Sequence, residues 1–580
     1  MNFRKSTLSA AILLASVTMV GCGSSSSDST PDPVDPPANS APTDITLSNS
    51  DVNENAVAAV IGTLTAVDAN SGDTFTFTTD NEMFTISGNE IRLADGKSFN
   101  FEQAETATVS VQVTDNGGLS FTKELTLNVV DQLDTYTFAS KIIDGESSVS
   151  YSGQTARHAL IAELNHYIGN VLQTELDNDT LTTRDEVIAK LNSYFRTTEE
   201  QYDNFPITFI DNAEQSHIAT ISSSHKNLLG KVAGNDESGQ HKLWNDGDFE
   251  GWGAKGSVTP TGLIDLYFGQ LADNAIDHRD GIVRTSVEGS EITKVYLNTD
   301  GTDLKQLIQK FLLMAVTYSQ ATDDYLGHET DGKGLTTDNI SAKSTGGTYT
   351  NLEHQFDEGF GYFGAARDYL EYNDNEISGK VSSDEDGRAD WNGKHDTDGN
   401  GTIDLKSEIN FGQAVNAAKR DRGTASNTSP TDFTQTTMEA FLAGRALINE
   451  NVGMALSTEQ MEELKGYRDV VVDGWERAIA ATVVHYINDT HADLAKLGTD
   501  DFNYADAAKH YSELKGFALG LQFNPYSKIT DEQFAEIHTL IGDAPVLTAA
   551  DVAAYQADLI AARDIIEAAL SFDSENVQNW

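Results

Sequence analysis

The chain is poor in basic residues and almost free of cysteine. It contains 38 Lys and Arg against 90 Asp and Glu, which gives a formal net charge of -52 over 580 residues. Because a phosphate backbone is bound through Lys and Arg and repels carboxylates, this balance excludes nucleic acid as a natural partner and favours divalent cations as counter-ions. With a single cysteine, Cys22, the chain has no internal disulfide, so its stability must come from packed cores and bound ions.

The familiar sequence signatures of enzymes are also missing. The sequence has no Gly-x-Ser-x-Gly elbow, no P-loop, no dinucleotide-binding glycine pattern, no His-Glu-x-x-His and no cysteine placed as a nucleophile. Among 90 carboxylates, a pair suited to glycoside hydrolysis cannot be singled out. No catalytic residue is therefore predicted, and a hydrolase is the least favoured of the functions considered.

The N-terminus predicts export and a lipid anchor. Two basic residues precede an apolar run over 8–20 that is too short to cross a bilayer, which predicts a signal peptide over 1–21. The last residues, Met19-Val20-Gly21-Cys22, resemble a bacterial lipobox, in which the signal is cut before Cys and the thiol is acylated, commonly with palmitate. That resemblance implies lipidation of Cys22. Gly23, in place of the Asp that retains such proteins at the inner membrane, favours the outer membrane, with the side it faces left open.

Two further segments precede the main part of the chain. Residues 22–40 are rich in Ser and Pro and have nothing to bury, so they are predicted to form a tether. Over 41–131 apolar and polar residues alternate, for example in Thr74–Thr78 and Val109–Val113, and Gly/Asn/Asp turns separate the segments. This pattern predicts an antiparallel β-sandwich.

Several motifs in this segment resemble, in order, a bacterial cadherin-like repeat. They are Val-Asn-Glu-Asn-Ala at 52–56, Thr-Ala-Val-Asp-Ala-Asn at 65–70, Phe-Asn-Phe-Glu at 99–102 and Val-Thr-Asp-Asn at 113–116. The resemblance implies calcium at the inter-domain face, bound by Glu54, Asp68, Glu102 and Asp131. The sequence departs from the family pattern at Asn70, which replaces a second Asp, and in the exit segment around Asp131.

Beyond a boundary near Asp134 the hydrophobic period changes from 2 to 3.6, and 134–580 is predicted to be an all-α domain of helical bundles. Candidate N-caps include Thr183, Ser457, Thr530 and Thr548. Helices are predicted over 153–174, 183–195, 262–277, 302–325, 349–371, 404–420, 431–449, 457–497, 503–521, 530–541 and 548–570. The fold class is therefore multidomain, with a small cadherin-like β-sandwich followed by a large all-α domain.

One loop of the helical domain has the sequence pattern of a calcium-binding loop. Residues 396–404, Asp-Thr-Asp-Gly-Asn-Gly-Thr-Ile-Asp, place oxygen-bearing side chains at alternate positions, a Gly at position 6 and an Ile at position 8, as in an EF-hand loop. Position 12 is Ser407, and the closing Glu follows one residue later as Glu408. Either Glu408 turns into the shell or water completes it. The predicted ligands are Asp396, Asp398, Asn400, Thr402, Asp404 and Glu408.

Two helices carry inward-facing His and carboxylate residues. At 100° per residue His354, Asp357 and Glu358 share one face with Gly361, and phenylalanines occupy the opposite face, so neighbours are expected on both sides. Buried carboxylates need a metal, a cation or hydrogen-bond donors. One interpretation is a transition-metal site, iron or zinc, in which these residues converge with a second helix.

The second helix presents His510 and Glu513, completing a predicted ligand set of His354, Asp357, Glu358, His510 and Glu513. The alternative is a buried polar network that fixes helix register, with His485 and Glu439 as further members.

The motif from His354 to Gly364, together with 404–412, 417–421 and 513–519, resembles a domain of unknown function found in surface lipoproteins of Gram-negative bacteria, over roughly 135–580. The all-α character and the His/Glu helix also give a distant likeness to imelysin-like lipoproteins linked to iron uptake. Their Gly-x-His-x-x-Glu signature is absent here, because Gly327-His328-Glu329 continues as Thr330-Asp331-Gly332.

Three functions follow as hypotheses. The first is a cell-envelope lipoprotein that binds calcium structurally and a transition metal as an accessory of iron acquisition. The second is a calcium-dependent surface adhesion or scaffold protein that binds an envelope protein or cell-surface ligand. The third is a hydrolase. The membrane, through the lipid anchor, is the one partner that the sequence predicts specifically.

Overall fold

The computed structural model describes residues 38–54, 56, 58–99, 101, 104–130, 133–236, 240–382 and 387–580. Cys22, the signal peptide and most of the tether lie outside the described residues, as do Glu102 and Asp131. The chain divides into two compact units, residues 1–132 and 133–580. An all-β unit followed by a large helical unit confirms the predicted fold class.

The β unit consists of two four-stranded sheets. One has the strand order β1-β3-β6-β5 and the other β2-β8-β7-β4. The pairs within them are antiparallel except β2 with β8. The strands are β1 Asp44–Leu47, β2 Asp51–Asn53, β3 Val60–Val67, β4 Phe75–Thr78, β5 Phe84–Ser87, β6 Glu90–Leu93, β7 Thr106–Asp115 and β8 Ser120–Val130.

The alternation seen in the sequence sets the core of this unit. In β7 the side chains of Val109, Val111 and Val113 are fully buried, and the residues between them are exposed. Successive side chains of a strand point to opposite faces, so one face of each sheet is apolar and packs in the interior.

The helical unit contains sixteen α-helices among the described residues. They are α1 Ser152–His166, α2 Leu172–Asp177, α3 Arg184–Phe195, α4 Glu199–Tyr202, α5 Ile218–Ile221, α6 Pro260–Arg279, α7 Leu304–Leu312, α8 Asn351–Phe363, α9 Asp374–Ile377, α10 Gly412–Thr424, α11 Phe433–Glu450, α12 Thr458–Leu494, α13 Tyr504–Ala518, α14 Asp531–Ile541, α15 Val552–Leu570 and α16 Ser574–Asn579. π-Helical turns over Leu313–Tyr318 and Gln320–Tyr325 extend α7. No described helix is both long and apolar enough to cross a bilayer.

The centre of this unit is α12, which packs against α10, α11, α13 and α15, while α7 packs against α13. Thr183, Ser457 and Thr530 form the capping boxes of α3, α12 and α14, as predicted. The predicted cap Thr548 is wrong, because α15 begins after Asp551.

Two predicted helices differ from the structure by about eight residues at one end. The helix predicted over 349–371 ends at Phe363, because Gly364 adopts φ 85° and its N–H bonds back to Phe360. A side chain at Gly364 would also collide with Phe411, since a Cβ there would lie 2.9 Å from the Phe411 Cβ. The helix predicted over 404–420 begins only at Gly412, because residues 404–411 complete a loop.

Candidate calcium centre

The loop 396–408 is anchored at both of its sides. An antiparallel bridge between Lys394 and Ile409 closes its base. Ile403, at the EF-hand position 8, forms a parallel bridge with Ala213 and is 7% exposed. The Ile403 N–H donates to the Asn212 carbonyl at 2.9 Å. Burial of this isoleucine holds the ligand-bearing residues of the loop at the surface in one conformation.

The first half of the loop wraps around Asp396. Gly401 adopts φ 86°, and its N–H donates to the Asp396 carboxylate at 2.7 Å. The Asn400 N–H donates to the same carboxylate at 3.1 Å and to Asp398 at 3.0 Å. The hydrogen bond from Gly401, supported by that from Asn400, lowers the pKa of Asp396, so this side chain is a carboxylate at neutral pH.

Glu408 turns into the loop and joins the two aspartates. Each of Asp396, Asp398 and Glu408 offers a carboxylate oxygen, and these oxygens lie within 4.8 Å of one another. Glu408 is 3% exposed, and it accepts hydrogen bonds from the Thr397 N–H at 2.8 Å and the Asp404 N–H at 2.7 Å. Of the two predicted ways to close the shell, the geometry favours the inward turn of Glu408.

The remaining predicted ligands do not all point in the same direction. The Asn400 side-chain oxygen accepts from the Thr402 N–H at 2.8 Å, so both residues stay within the turn. Asp404 faces elsewhere: its carboxylate accepts from Gln215 at 2.9 Å and from the Ser407 hydroxyl at 3.0 Å. Gln215, which fastens the end of the loop to a distant segment, was not predicted, because it has no signal in the local pattern.

In the β unit the structure separates two residues that the cadherin-like resemblance groups together. Glu54 accepts from the Phe101 N–H at 2.6 Å, and its own N–H donates to Val130 at the end of β8. Asp68 instead lies with Asp115, beside the turn that precedes β8. Since β8 has 11 residues, the two ends of this strand are about 30 Å apart. Glu54 and Asp68 therefore lie toward opposite ends of the sandwich.

The partners of Asp68 are Asp73 and Asp115, whose carboxylate oxygens lie within 4.8 Å of each other and of Asp68. Burial and the neighbouring charges of Asp68 and Asp115 raise the pKa of Asp73. Asp115 accepts from Asn39 at 3.0 Å and from the Leu119 N–H at 2.9 Å. Asp115 belongs to one of the motifs quoted above, whereas no motif pointed to Asp73.

On α8 the predicted faces are correct, but the predicted ligands diverge. A side chain at Gly361 would lie 2.7 Å from the Tyr151 Cβ, so a neighbour does approach the small-residue side. His354 lies 3.5 Å from Glu358, and its Nδ1 is 3.0 Å from the Ser150 carbonyl. The Asp357 carboxylate accepts a hydrogen bond from the N–H of the same Ser150 at 2.9 Å.

Asp357 is part of a fully buried ion network. Arg445 on α11 donates to Asp357 at 2.7 Å and to Glu353 at 3.0 Å, and all three side chains are fully buried. The Tyr136 hydroxyl donates to Asp357 at 3.0 Å. Burial opposes the charged form of Arg445, but the interactions with Asp357, Tyr136 and Glu353 together outweigh it, so the pKa of Arg445 is raised. Asp357 is therefore paired with a protein cation.

His510 and Glu513 have partners of their own. The His510 Nδ1 lies 2.7 Å from Asp493, and Glu513 has the ammonium groups of Lys310 at 3.4 Å and Lys509 at 3.9 Å. Among the described residues, the sets of three potential ligand atoms within 4.8 Å of one another include neither His354 nor His510. The structure does not assemble the predicted two-helix centre, because lysines occupy the surroundings of Glu513 and would repel a metal cation.

The network interpretation also needs correction in detail. His485 lies 3.4 Å from Asp489, close to His510, and so belongs to a polar cluster with the second helix. Glu439 is exposed and accepts from Gln435 of its own helix at 2.7 Å. Arg445, the cation that completes the buried network of α8, was missed because its position on α11 carries no local signal.

A DUF4856 domain, described as a domain of unknown function, covers residues 134–392. This stretch includes α1 to α9 and ends before the loop 396–408, so the match is shorter than the resemblance predicted over 135–580. No curated protein and no solved structure matches the chain.

Proposed function

We propose that the protein is a lipid-anchored envelope protein whose helical unit binds one structural calcium ion in the loop 396–408. The observation that carries the calcium proposal is the convergence of Asp396, Asp398 and Glu408. Three carboxylates at this spacing repel one another unless a cation neutralises them, and hard oxygen ligands with a glycine-bearing turn suit Ca²⁺.

The position of the loop supports a structural role for the ion. Ile403 and Gln215 attach the loop to residues 212–215, which are far away in sequence. Gly412, just beyond the loop, begins α10, which packs on the central α12. An ion at this position would join the loop to the core and so stabilise the native state by mass action.

Glu408→Gln tests this proposal directly. It keeps the size of the side chain and removes one carboxylate, so the calcium affinity of the full chain should fall by about tenfold or more. Titration calorimetry with CaCl₂ measures the change. Glu532→Gln, at an exposed position of α14, is the matched control and should bind as the unsubstituted chain does. Equal affinities in the two variants would place the calcium elsewhere.

The anchor proposal is supported by the lipobox-like residues 19–22. Cys22→Ser should move the protein from the membrane fraction to the soluble fraction, because acyl chains give stable anchoring and a cleaved apolar signal gives none. Fractionation of cells followed by immunoblotting measures this partition. If the variant stays in the membrane fraction, the lipoprotein interpretation is wrong.

A further inference from the structure

A cavity of about 500 Å³ opens between the start of α11 and the middle of α12. This volume falls within the roughly 300–1,000 Å³ that small-molecule sites occupy. The opening lies at the surface, because Val470 of its lining is 40% exposed. Beside the cavity the two helices touch, since a Cβ at Gly474 would lie 2.4 Å from the Thr437 hydroxyl oxygen. Packing of α11 on α12 therefore holds the walls of the cavity in place.

Most of the lining surface is apolar. Phe433 comes from the α11 wall and Val470 from the α12 wall, and Gly474 has no side chain to fill the space on the α12 side. Covering such a surface with an apolar group removes it from water, which contributes about 25 cal/mol for each Å². A ligand of this cavity should therefore have an apolar body.

The rim on the α11 side is acidic. Asp432 is the N-cap of α11, and one of its oxygens accepts from a backbone N–H of the first turn at 3.1 Å. Asp421 accepts from the N–H groups of Phe433 and Thr434 at 3.0 and 2.9 Å. The Thr434 hydroxyl lies 3.3 Å from a carboxylate oxygen of Asp432 and 3.3 Å from one of Asp374. Three carboxylates thus surround the first turn of α11.

This acidic group has no protein counter-ion. Among the described residues, no Lys, Arg or His lies within ion-pair distance of Asp374, Asp421 or Asp432. Arg422 bonds to the Asn375 side chain at 2.5 Å instead. The helix N-terminus supplies about half a positive charge, which does not balance three carboxylates. Burial, and then the charges of Asp421 and Asp432, raise the pKa of Asp374 to about 7.

The α12 side carries one open carboxylate and one that is already paired. Asp469 is 64% exposed, and one of its oxygens accepts from the Arg468 Nε at 2.7 Å. Asp473 accepts from Arg477 at 2.6 Å and from Lys528. Arg477 also lines the cavity, but its Nε is directed to Asp473. A cation that enters the cavity would therefore be attracted toward Asp469 and the α11 rim.

Asp432 and Asp469 can each accept a further hydrogen bond. Each has one carboxylate oxygen without a donor among the described residues, and both side chains are exposed. We propose that the cavity binds a small aliphatic amine, with its ammonium group at Asp432 and its apolar body against Phe433 and Val470. Asp469 adds electrostatic attraction from the opposite wall.

The amine fits both properties of the cavity. An ammonium group donates three hydrogen bonds and supplies the positive charge that the rim lacks, whereas a metal ion would gain nothing from the apolar lining. The volume suits a free small molecule. This site shares no residue with the proposed calcium loop, so either proposal stands without the other.

Hexylamine, an ammonium ion at neutral pH, is the probe. Titration calorimetry of the full chain, at constant ionic strength and fixed calcium, should show saturable binding. 1-Hexanol has the same body without the charge, and ammonium chloride has the charge without the body, so both should bind more weakly. The proposal is wrong if hexylamine binding does not saturate, or if either of these compounds binds as tightly as hexylamine.

Asp432→Asn removes the charge and keeps the helix cap, because Asn and Asp are equally good N-caps. The affinity for hexylamine should fall by about tenfold. Asp185→Asn, the same change at an exposed first-turn position of α3, is the control and should stay within about twofold of the unsubstituted chain. An equal fall in the two variants would mean that the amine responds only to the overall negative charge, which would overturn the proposal.

Val470→Phe tests the cavity without changing the charge. The larger side chain takes up space in the cavity, so the affinity for hexylamine should fall by about tenfold or more. Val287→Phe, at a 49% exposed position outside the cavity, should bind as the unsubstituted chain does. Unchanged affinity in a Val470→Phe variant that is folded by circular dichroism would contradict the proposal, whatever the outcome for Asp432→Asn.

A last titration distinguishes a free amine from a lysine side chain of a partner protein. N-acetyl-lysinamide carries the same ammonium group on a lysine side chain and should bind more weakly than hexylamine. If it binds more tightly, a partner protein is the occupant and the small-molecule proposal is overturned.

Discussion

Replacing Arg445 with methionine should lower the free energy of unfolding of the helical unit by about 3–5 kcal/mol. The guanidinium of Arg445 is the buried cation beside both Glu353 and Asp357, and all three side chains are fully buried. Without it, two carboxylates remain in the core without the cation that pairs with both of them, which costs more than the ion pair itself contributes. Denaturant unfolding followed by circular dichroism measures the change.

Arg184→Met is the control for this substitution. Arg184 pairs with Asp273 at 2.5 Å, but the two side chains are 47% and 62% exposed, so the loss should stay below about 1 kcal/mol. A similar small loss in the Arg445 variant would mean that the buried network contributes nothing to the fold. Adding Glu353→Gln and Asp357→Asn to Arg445→Met should recover part of the stability, because the unpaired charges are then removed.

Asp396→Asn should abolish most of the calcium-dependent rise in the melting temperature of the full chain. Binding to the native state alone stabilises by about 2.7 kcal/mol when free calcium is about a hundredfold above Kd. Asp396 is the carboxylate around which the first turn of the loop closes, so the amide variant keeps the size of the side chain and loses the charge and one of the two acceptor oxygens. Scanning calorimetry with calcium and with chelator measures the rise.

Asp390→Asn provides the comparison for Asp396→Asn. Asp390 is exposed, lies in the same acidic stretch and is outside the loop, so the calcium-dependent rise should be unchanged in this variant. If Asp396→Asn also keeps the full rise, calcium binds at another position, such as the cluster of Asp68, Asp73 and Asp115 in the β unit.

Local patterns predicted the elements of this fold well. The change in hydrophobic period near Asp134 matches the change from strands to helices, and most helix bounds agree within a few residues. The failures have specific causes. α8 stops at Phe363 because Gly364 is required where Phe411 approaches closely, and that approach involves residues distant in the sequence.

The calcium loop could be predicted from the sequence because its ligands lie close together in one short segment. The spacing of Asp396, Asp398 and Gly401 is a local property, and so is the late arrival of Glu408. What the sequence did not reveal is how the loop is attached, because Ala213 and Gln215 reach it through tertiary contacts.

The predicted two-helix metal site shows what helical periodicity alone cannot predict. The helical period correctly placed Asp357 and Gly361 on one buried face. A periodicity gives no information on which element lies opposite that face, and the element turned out to carry Arg445. Likewise the lysines beside Glu513 come from α7 and α13, and their approach to this carboxylate emerges only from the packing.

The central claim is that the loop 396–408 binds calcium, and elemental analysis tests it most directly. The full chain carrying Cys22→Ser, purified without chelator and without added metal, should contain calcium, and the further substitution Glu408→Gln should reduce the content by about one ion per chain after dialysis. A calcium content that does not change with Glu408→Gln, or that does not exceed the buffer blank in the parent chain, would contradict the account.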